Sequence, residues 1–169
     1  MLTEGNLKYL QTISDVDIVH VAPFDPGTQK TAASIMSQVR QAIPTAKIFY
    51  FGSSALGIAG ENDIDLGVID AGEYGSCGRM LQGIFGEPIK VDEKQNTIRW
   101  EFVRSGFTIE LFLSDVLAGR ILEHINTHER LVTDENLRNA YEKLKQAADG
   151  LSKREYMKRK LEFFNTLAL

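Results

Sequence analysis

The stretch Phe49 to Ile69, FYFGSSALGIAGENDIDLGVI, constrains this chain more than any other. Lys47 to Phe51 is an apolar run that reads as a buried strand, and it runs straight into Gly52-Ser53-Ser54, a turn and helix start. Asp63 to Ile69 then reads as a second strand. A glycine at a strand–helix junction lets backbone approach an anionic group closely. The free N–H groups of the helix start, with the Ser53 hydroxyl, suit an anionic oxygen such as a phosphate's.

Residues two apart on a strand share a face, so Asp63 and Asp65 aim together while Ile64 and Leu66 face the core. Two adjacent carboxylates repel and are costly to keep ionised unless a cation lies between them. Mg²⁺ is the natural candidate, with Mn²⁺ next, because such ions favour carboxylate and phosphate oxygens. The plainer alternative is a solvent-facing pair at a strand end. Glu110 is a third acid, set inside the apolar strand Phe107 to Leu113. An acid in such a run needs a partner: a cation shared with Asp63 and Asp65, or a buried Lys or Arg. Three carboxylates can hold two cations about 4 Å apart, the spacing used for in-line displacement at phosphorus.

The rest of the chain supplies a frame for that cluster. Residues 2–13 have the spacing of a short amphipathic helix, and Asp17 to Ala22 is apolar and β-rich. Pro23 to Gly27 is a turn. Thr28 to Ile43 is helical, with Thr28 or Thr31 as cap and Pro44 as stop. Tyr74 to Phe85 has a helical pattern weakened by Gly75, Gly78 and Gly83. Strand-like segments follow at Glu87–Val91, Thr97–Val103 and Phe107–Leu113, the last two joined at Ser105-Gly106. Helices are expected from Ser114-Asp115 to about Ile125, over Glu135–Ala148, and from Ser152, where Glu155 completes a capping box. The fold class is therefore α+β: a mixed sheet of about five strands flanked by helices, with a C-terminal helical cap. At 169 residues it reads as one domain, with a core at 16–115 and a helical subdomain at 116–169.

Net charge is −4, split as −6 over residues 1–115 and +2 over 116–169. That balance argues against extended nucleic-acid binding and fits acids that hold metal beside bases that hold phosphate. The single cysteine, Cys77, rules out an intrachain disulfide framework and suits a reducing cytosol. The N-terminus lacks a basic start followed by an apolar run, and no apolar segment is long enough to cross a bilayer, so a cytoplasmic location is expected. His124 and His128 sit four apart without an HExxH pattern, which argues against zinc and for a structural role at His128. Trp100, Phe102, Phe107 and Phe112 read as core residues of strands.

Gly52-Ser53, Asp63-Ile64-Asp65 and Glu110 together resemble the signature of the nucleotidyltransferase superfamily, the DNA polymerase β-like fold: Gly-Ser after a strand, Asp-x-Asp about a dozen residues on, and an acid on a later strand. The likeness narrows and covers most of the chain. Val21 to Pro26 resembles the V-x-P-Y-D-P opening of the GrpB family, and Phe51 to Ala59 its G-S-T-x-V-P-G-L-A segment. His128-Glu129 with Tyr141 to Lys145, and Tyr156 to Lys160 with Phe163, are similar to its two C-terminal helices. That resemblance makes Lys145 and Lys160 candidate phosphate contacts. Many members carry an apolar residue in place of Asp63, a Lys-Pro in place of Glu61-Asn62 and a histidine near Glu110, so this chain lies nearer the superfamily's catalytic pattern.

The resemblance implies transfer of a nucleoside monophosphate from an NTP to an acceptor hydroxyl, with pyrophosphate released. Asp63, Asp65 and Glu110 would be the catalytic and metal residues, and Gly52, Ser53, Lys145 and Lys160 the nucleotide contacts. The acceptor is open: a small molecule, a protein or an RNA end. The rival is a module of the same fold that binds a nucleotide or a partner protein without turnover. A toxin-like or antitoxin-like role on a protein or tRNA end is a third reading.

Overall fold

A computed structural model describes residues 2–69, 74–94, 96–115 and 119–167, with backbone alone at 119 and 120. Among these described residues, seven helices and five strands follow one another as α1 (Glu4–Gln11), α2 (Gly27–Ala42), β1 (Lys47–Phe51), α3 (Gly52–Leu56), β2 (Ile64–Ile69), α4 (Tyr74–Phe85), β3 (Lys90–Asp92), β4 (Thr97–Arg104), β5 (Phe107–Ser114), α5 (Gly119–Thr133), α6 (Glu135–Gln146) and α7 (Lys153–Leu167). The strands form one sheet in the order β1-β2-β5-β4-β3. Only β2 and β5 run parallel; the other neighbours are antiparallel, so the sheet is mixed and the architecture is α+β.

Strand alternation divides the sheet's two faces. One carries Ile64, Leu66, Ile109, Leu111 and Trp100, which pack with Ala32, Ile35 and Val39 of α2 and Leu81 of α4 into the main core. Each large side chain so buried contributes about 1.5–3 kcal/mol. The Trp100 indole N–H donates to the Gly86 carbonyl at 2.9 Å, so its polar edge is also satisfied. α4 forms despite its glycines because Gly78 lies against β4: a Cβ there would come 2.8 Å from Ile98 Cδ1.

The opposite face carries Asp65, Glu110, Phe112 and Arg99. α5 covers its β1–β2 end, where Ile121 and Ile125 meet Ile69, Phe49 and Phe112. Gly67 makes room, since a Cβ there would sit 3.1 Å from Phe51 and 3.7 Å from Ile121. The remaining helices pack beyond α3, with Ile58, Leu131 and Tyr141 forming a second apolar cluster.

Several elements differ from the sequence expectation. The first helix is shorter, Glu4–Gln11, because Thr3 caps it by accepting from Asn6 N–H at 3.1 Å. Asp17 to Ala22 joins no sheet. It makes isolated bridges, Ile18 to Ser152 and Ala22 to Gly60, and buries Val19 against Ala148 and Tyr156. α2 has neither Thr28 nor Thr31 as cap: it starts at Gly27, whose N–H donates to Asp25 Oδ1 at 2.8 Å, and the Thr28 hydroxyl donates to the Asp25 carbonyl at 2.6 Å. Ser114 closes β5, and the following helix is described from Gly119 and runs on to Thr133 rather than Ile125. The residues between, 116–118, lie outside those described, as does 70–73 ahead of α4. Ser152 does head α7, accepting from Glu155 N–H at 3.2 Å.

Candidate active site

The Gly-Ser junction forms as a tight corner. Gly52 has φ +84°, and a Cβ on it would lie 2.4 Å from Asp65 Oδ2, so only glycine fits there. Ser54 Oγ donates to the Asp63 carbonyl at 2.6 Å, fastening the start of α3 to the strand that carries the acids. Asn62, at φ +54°, turns the chain into that strand and donates to the Pro23 carbonyl at 3.1 Å. The Pro23–Asp25 turn is thereby tied to the residue before Asp63.

Asp65 of β2 sits directly opposite Glu110 of β5, and Glu110 sits directly opposite Glu101 of β4. Directly paired residues share a face, so three acids form a row across the sheet. Asp63 lies just before β2, which begins at Ile64 and not at Asp63 as expected, and it is near enough for its charge to act on Asp65 and Glu110. Burial raises the Asp65 carboxyl, and the Asp63 charge adds to the rise; Lys160 and Lys145 oppose it only in part, leaving it at about 8. Glu110 is raised too, chiefly by burial, with Arg99 pulling the other way.

Two lysines come to this row from the helical cap. Lys145 of α6 is buried; its Nζ donates to the Tyr156 hydroxyl at 2.7 Å and lies over the rings of Tyr141 and Tyr156. Lys160 of α7 lies over Phe164. The adjoining Tyr141 raises Lys160 most, with Tyr156, Asp65 and Asp63 adding to the rise against the effect of burial. Ser53 is buried in α3 beside Gly60, where a Cβ would come 2.2 Å from Ser53 Oγ and 3.5 Å from Lys145 Nζ. Ser53, Gly60 and Lys145 thus meet at one point next to the acids.

Among the described residues, no three His, Cys, Asp or Glu side chains lie close enough together to hold a metal ion as they stand. Glu110 is already engaged by a cation of the chain itself. Its Oε1 is ion-paired with Arg99 Nη2 at 3.0 Å, and the same nitrogen lies 3.0 Å from Glu101 Oε2. Asp63 and Asp65 suit a hard divalent cation in donor chemistry, and burial is the main reason the Asp65 carboxyl is raised. Glu110 has the same donor chemistry, but here its carboxylate is engaged by Arg99.

Arg99 and Gly60 have no signal in the sequence alone: one looks like an ordinary strand residue, the other like one glycine among fourteen. His124 stacks on Phe51 at 5.4 Å, and His128 is partly buried, which lowers its pKa. Phe112 lies on the acidic face beneath Arg99, not in the main core.

The chain matches the solved structure of the conserved protein GrpB from Enterococcus faecalis, with a TM-score of 0.67 and 18% identity over 88% of this chain and 99% of that one. Looser overlaps reach the Cid1 poly(U) polymerase with MgGTP bound (TM-score 0.47, 16% identity, 79% of this chain) and a Cid1 structure described for RNA terminal uridylyl transferase activity (0.49, 15%, 80%). This chain spans 43% of each Cid1 chain, and overlaps so loose do not bear on chemistry. No protein-family model matches the chain, and no curated protein matches it. Among the described residues, no helix is long and apolar enough to cross a membrane.

Proposed function

We propose that this protein is a divalent-cation-dependent nucleotidyltransferase that moves a nucleoside monophosphate from an NTP to an acceptor hydroxyl. One observation carries the reading: Asp65 and Glu110 stand in register on adjacent parallel strands, with Asp63 beside them and Lys145 and Lys160 facing them from the helical cap. Acids gathered against bases suit a metal-bound triphosphate.

In this reading Asp63 and Asp65 hold Mg²⁺ or Mn²⁺, and Glu110 joins them for a second ion. When bound, such ions neutralise phosphate charge and lower the pKa of an acceptor hydroxyl. The chain's own groups do the rest. The α3 N-terminus and Ser53 hold the outer phosphates, with Lys145 and Lys160 as counter-charges. The acceptor oxygen forms a bond to the α-phosphorus as the bond to the bridging oxygen breaks. Pyrophosphate leaves, and Glu110 takes the hydroxyl proton. The reading suits the cytoplasm, where NTPs and Mg²⁺ are both abundant.

A non-catalytic binder is the second reading, favoured by the Arg99–Glu110 ion pair, which occupies the third acid. A thermal-shift series with each NTP, with and without Mg²⁺, on wild type and Asp65→Ala tests nucleotide binding. Ligand at 100 times Kd raises stability by about 2.7 kcal/mol. The proposal expects a Mg²⁺-dependent shift lost in the variant, then label transfer from an α-labelled NTP to an acceptor. No shift with any NTP would sink both readings as nucleotide sites. A shift without transfer to protein, RNA or small-molecule acceptors would favour the binder.

A further inference from the structure

Arg99 occupies an unusual place on the acidic face. It lies on β4 with its guanidinium carbon 5.7 Å from the Phe112 ring centroid. One nitrogen, Nη2, is shared between Glu110 Oε1 and Glu101 Oε2 at 3.0 Å each. Its Nε is buried without a hydrogen-bond partner, and both ion pairs run through Nη2. Glu101 and Glu110 are direct cross-strand neighbours, a pairing that repels unless a cation bridges it.

We infer that Arg99 is a positioning residue that competes with the divalent cation for Glu110, with Glu101 as its resting partner. Resting on the nucleotidyltransferase reading above, the inference says what sets occupancy of the second ion position. In the metal-free protein Arg99 neutralises Glu110 and keeps the row of acids from repelling itself apart. When a cation and triphosphate arrive, Arg99 releases Glu110 but keeps its bond to Glu101, so the switch needs a side-chain shift and no backbone change. Glu101 is more exposed than Glu110, 45% against 29% at the side chain, so the resting position lies toward solvent. Glu101 is therefore required for a reason no metal ligand explains: without it, Arg99 has only Glu110 to hold.

The test is Mn²⁺ binding, counted by electron paramagnetic resonance with a non-hydrolysable NTP analogue present, on the full chain. Exposed or half-exposed ion pairs are worth changes of up to roughly fivefold in an equilibrium constant. Arg99→Gln should tighten the second Mn²⁺ by that factor, and Arg99→Lys should return it toward wild type. Glu101→Gln should weaken it by a similar factor, and this effect should vanish when combined with Arg99→Gln. Glu101 is half-exposed, so its variant folds and keeps the test open if Arg99→Gln does not. Unchanged or weaker Mn²⁺ binding in Arg99→Gln, or an undiminished Glu101→Gln effect in the double variant, would overturn the inference. If Asp65→Asn then still abolished binding, the nucleotidyltransferase reading would stand. Failure of wild type to bind Mn²⁺ with the analogue at all would overturn both.

Discussion

A Cβ on Gly52 would lie 2.4 Å from Asp65 Oδ2, so the corner that starts α3 and the central acid of β2 fit together only because residue 52 has no side chain. Gly52→Ala carries two costs: the φ of +84° and the collision with a carboxylate that is already crowded. Expected destabilisation is about 1–3 kcal/mol, with the Mg²⁺-dependent nucleotide shift lost. Gly57 is the control. It has φ +68°, but its nearest neighbour is Phe24 at 4.0 Å, so Gly57→Ala carries the backbone cost alone. Melting curves of the two variants, with and without NTP and Mg²⁺, check this. An equal loss of nucleotide response in both would show that the Asp65 contact is not what matters at residue 52.

Asp65 makes stability depend on pH in a direction that can be stated in advance. Its folded pKa is about 8, raised from an unfolded value near 3.8. Between those values the folded protein keeps a proton that the unfolded chain has released. The contribution is full below about pH 4 and is lost as pH rises through about 8. Glu110 is raised and acts in the same direction. His128 acts oppositely, since burial lowers its pKa and its contribution is lost as pH falls below about 6.5. In EDTA the melting temperature should fall between pH 5 and pH 8.5, and this fall should shrink in Asp65→Asn. Mg²⁺ should restore stability mainly at the upper end, where the carboxylate is free to bind it. A pH profile identical in wild type and Asp65→Asn would rule out the raised carboxyl.

The sheet face of Asp65 and of Glu110 was legible because strand periodicity is local: each alternates with buried apolar neighbours, Ile64 and Leu66 or Ile109 and Leu111, whereas Asp63 precedes β2 and escapes that rule. The strand assignments were legible for the same reason, since apolar runs bounded by glycine or turn residues report the core directly. Asp17 to Ala22 has the same composition as a strand yet forms none, because its partners are a loop at Gly60 and a helix start at Ser152. Nothing within six residues can reveal that. Arg99 was illegible for a related reason. Its role follows from the pairing of β4 with β5, which sets Glu101 against Glu110 and leaves one cation to bridge them. Such registers are properties of the folded sheet, not of any single strand.

Gly60 marks the meeting of the core with the helical cap. A Cβ there would lie 2.2 Å from Ser53 Oγ and 2.8 Å from Ser53 Cβ. Rotating the serine relieves the first contact but not the second, so backbone must move. Gly60→Ala should therefore lower the melting temperature and weaken NTP binding together, and Ser53→Ala should fail to rescue it. A rescued double variant would show that the hydroxyl alone causes the conflict.

Lys145 and Lys160 should affect Asp65 as well as the nucleotide. Both lower the Asp65 carboxyl, Lys160 more than Lys145, so removing either charge should push that group higher still. Lys160→Met should then extend the pH-dependent loss of stability to higher pH than Lys145→Met does. Lys145→Met also leaves the Tyr156 hydroxyl without its 2.7 Å donor in a buried place, which costs about 1–3 kcal/mol. Pairing it with Tyr156→Phe removes both partners and should recover part of that loss. NTP affinity should stay low in the double variant, because the charge is still missing. Melting curves across pH, with NTP titrations on the same four proteins, separate the two contributions. Full recovery of NTP binding in the Lys145→Met, Tyr156→Phe protein would assign Lys145 to packing and leave Lys160 as the phosphate's counter-charge.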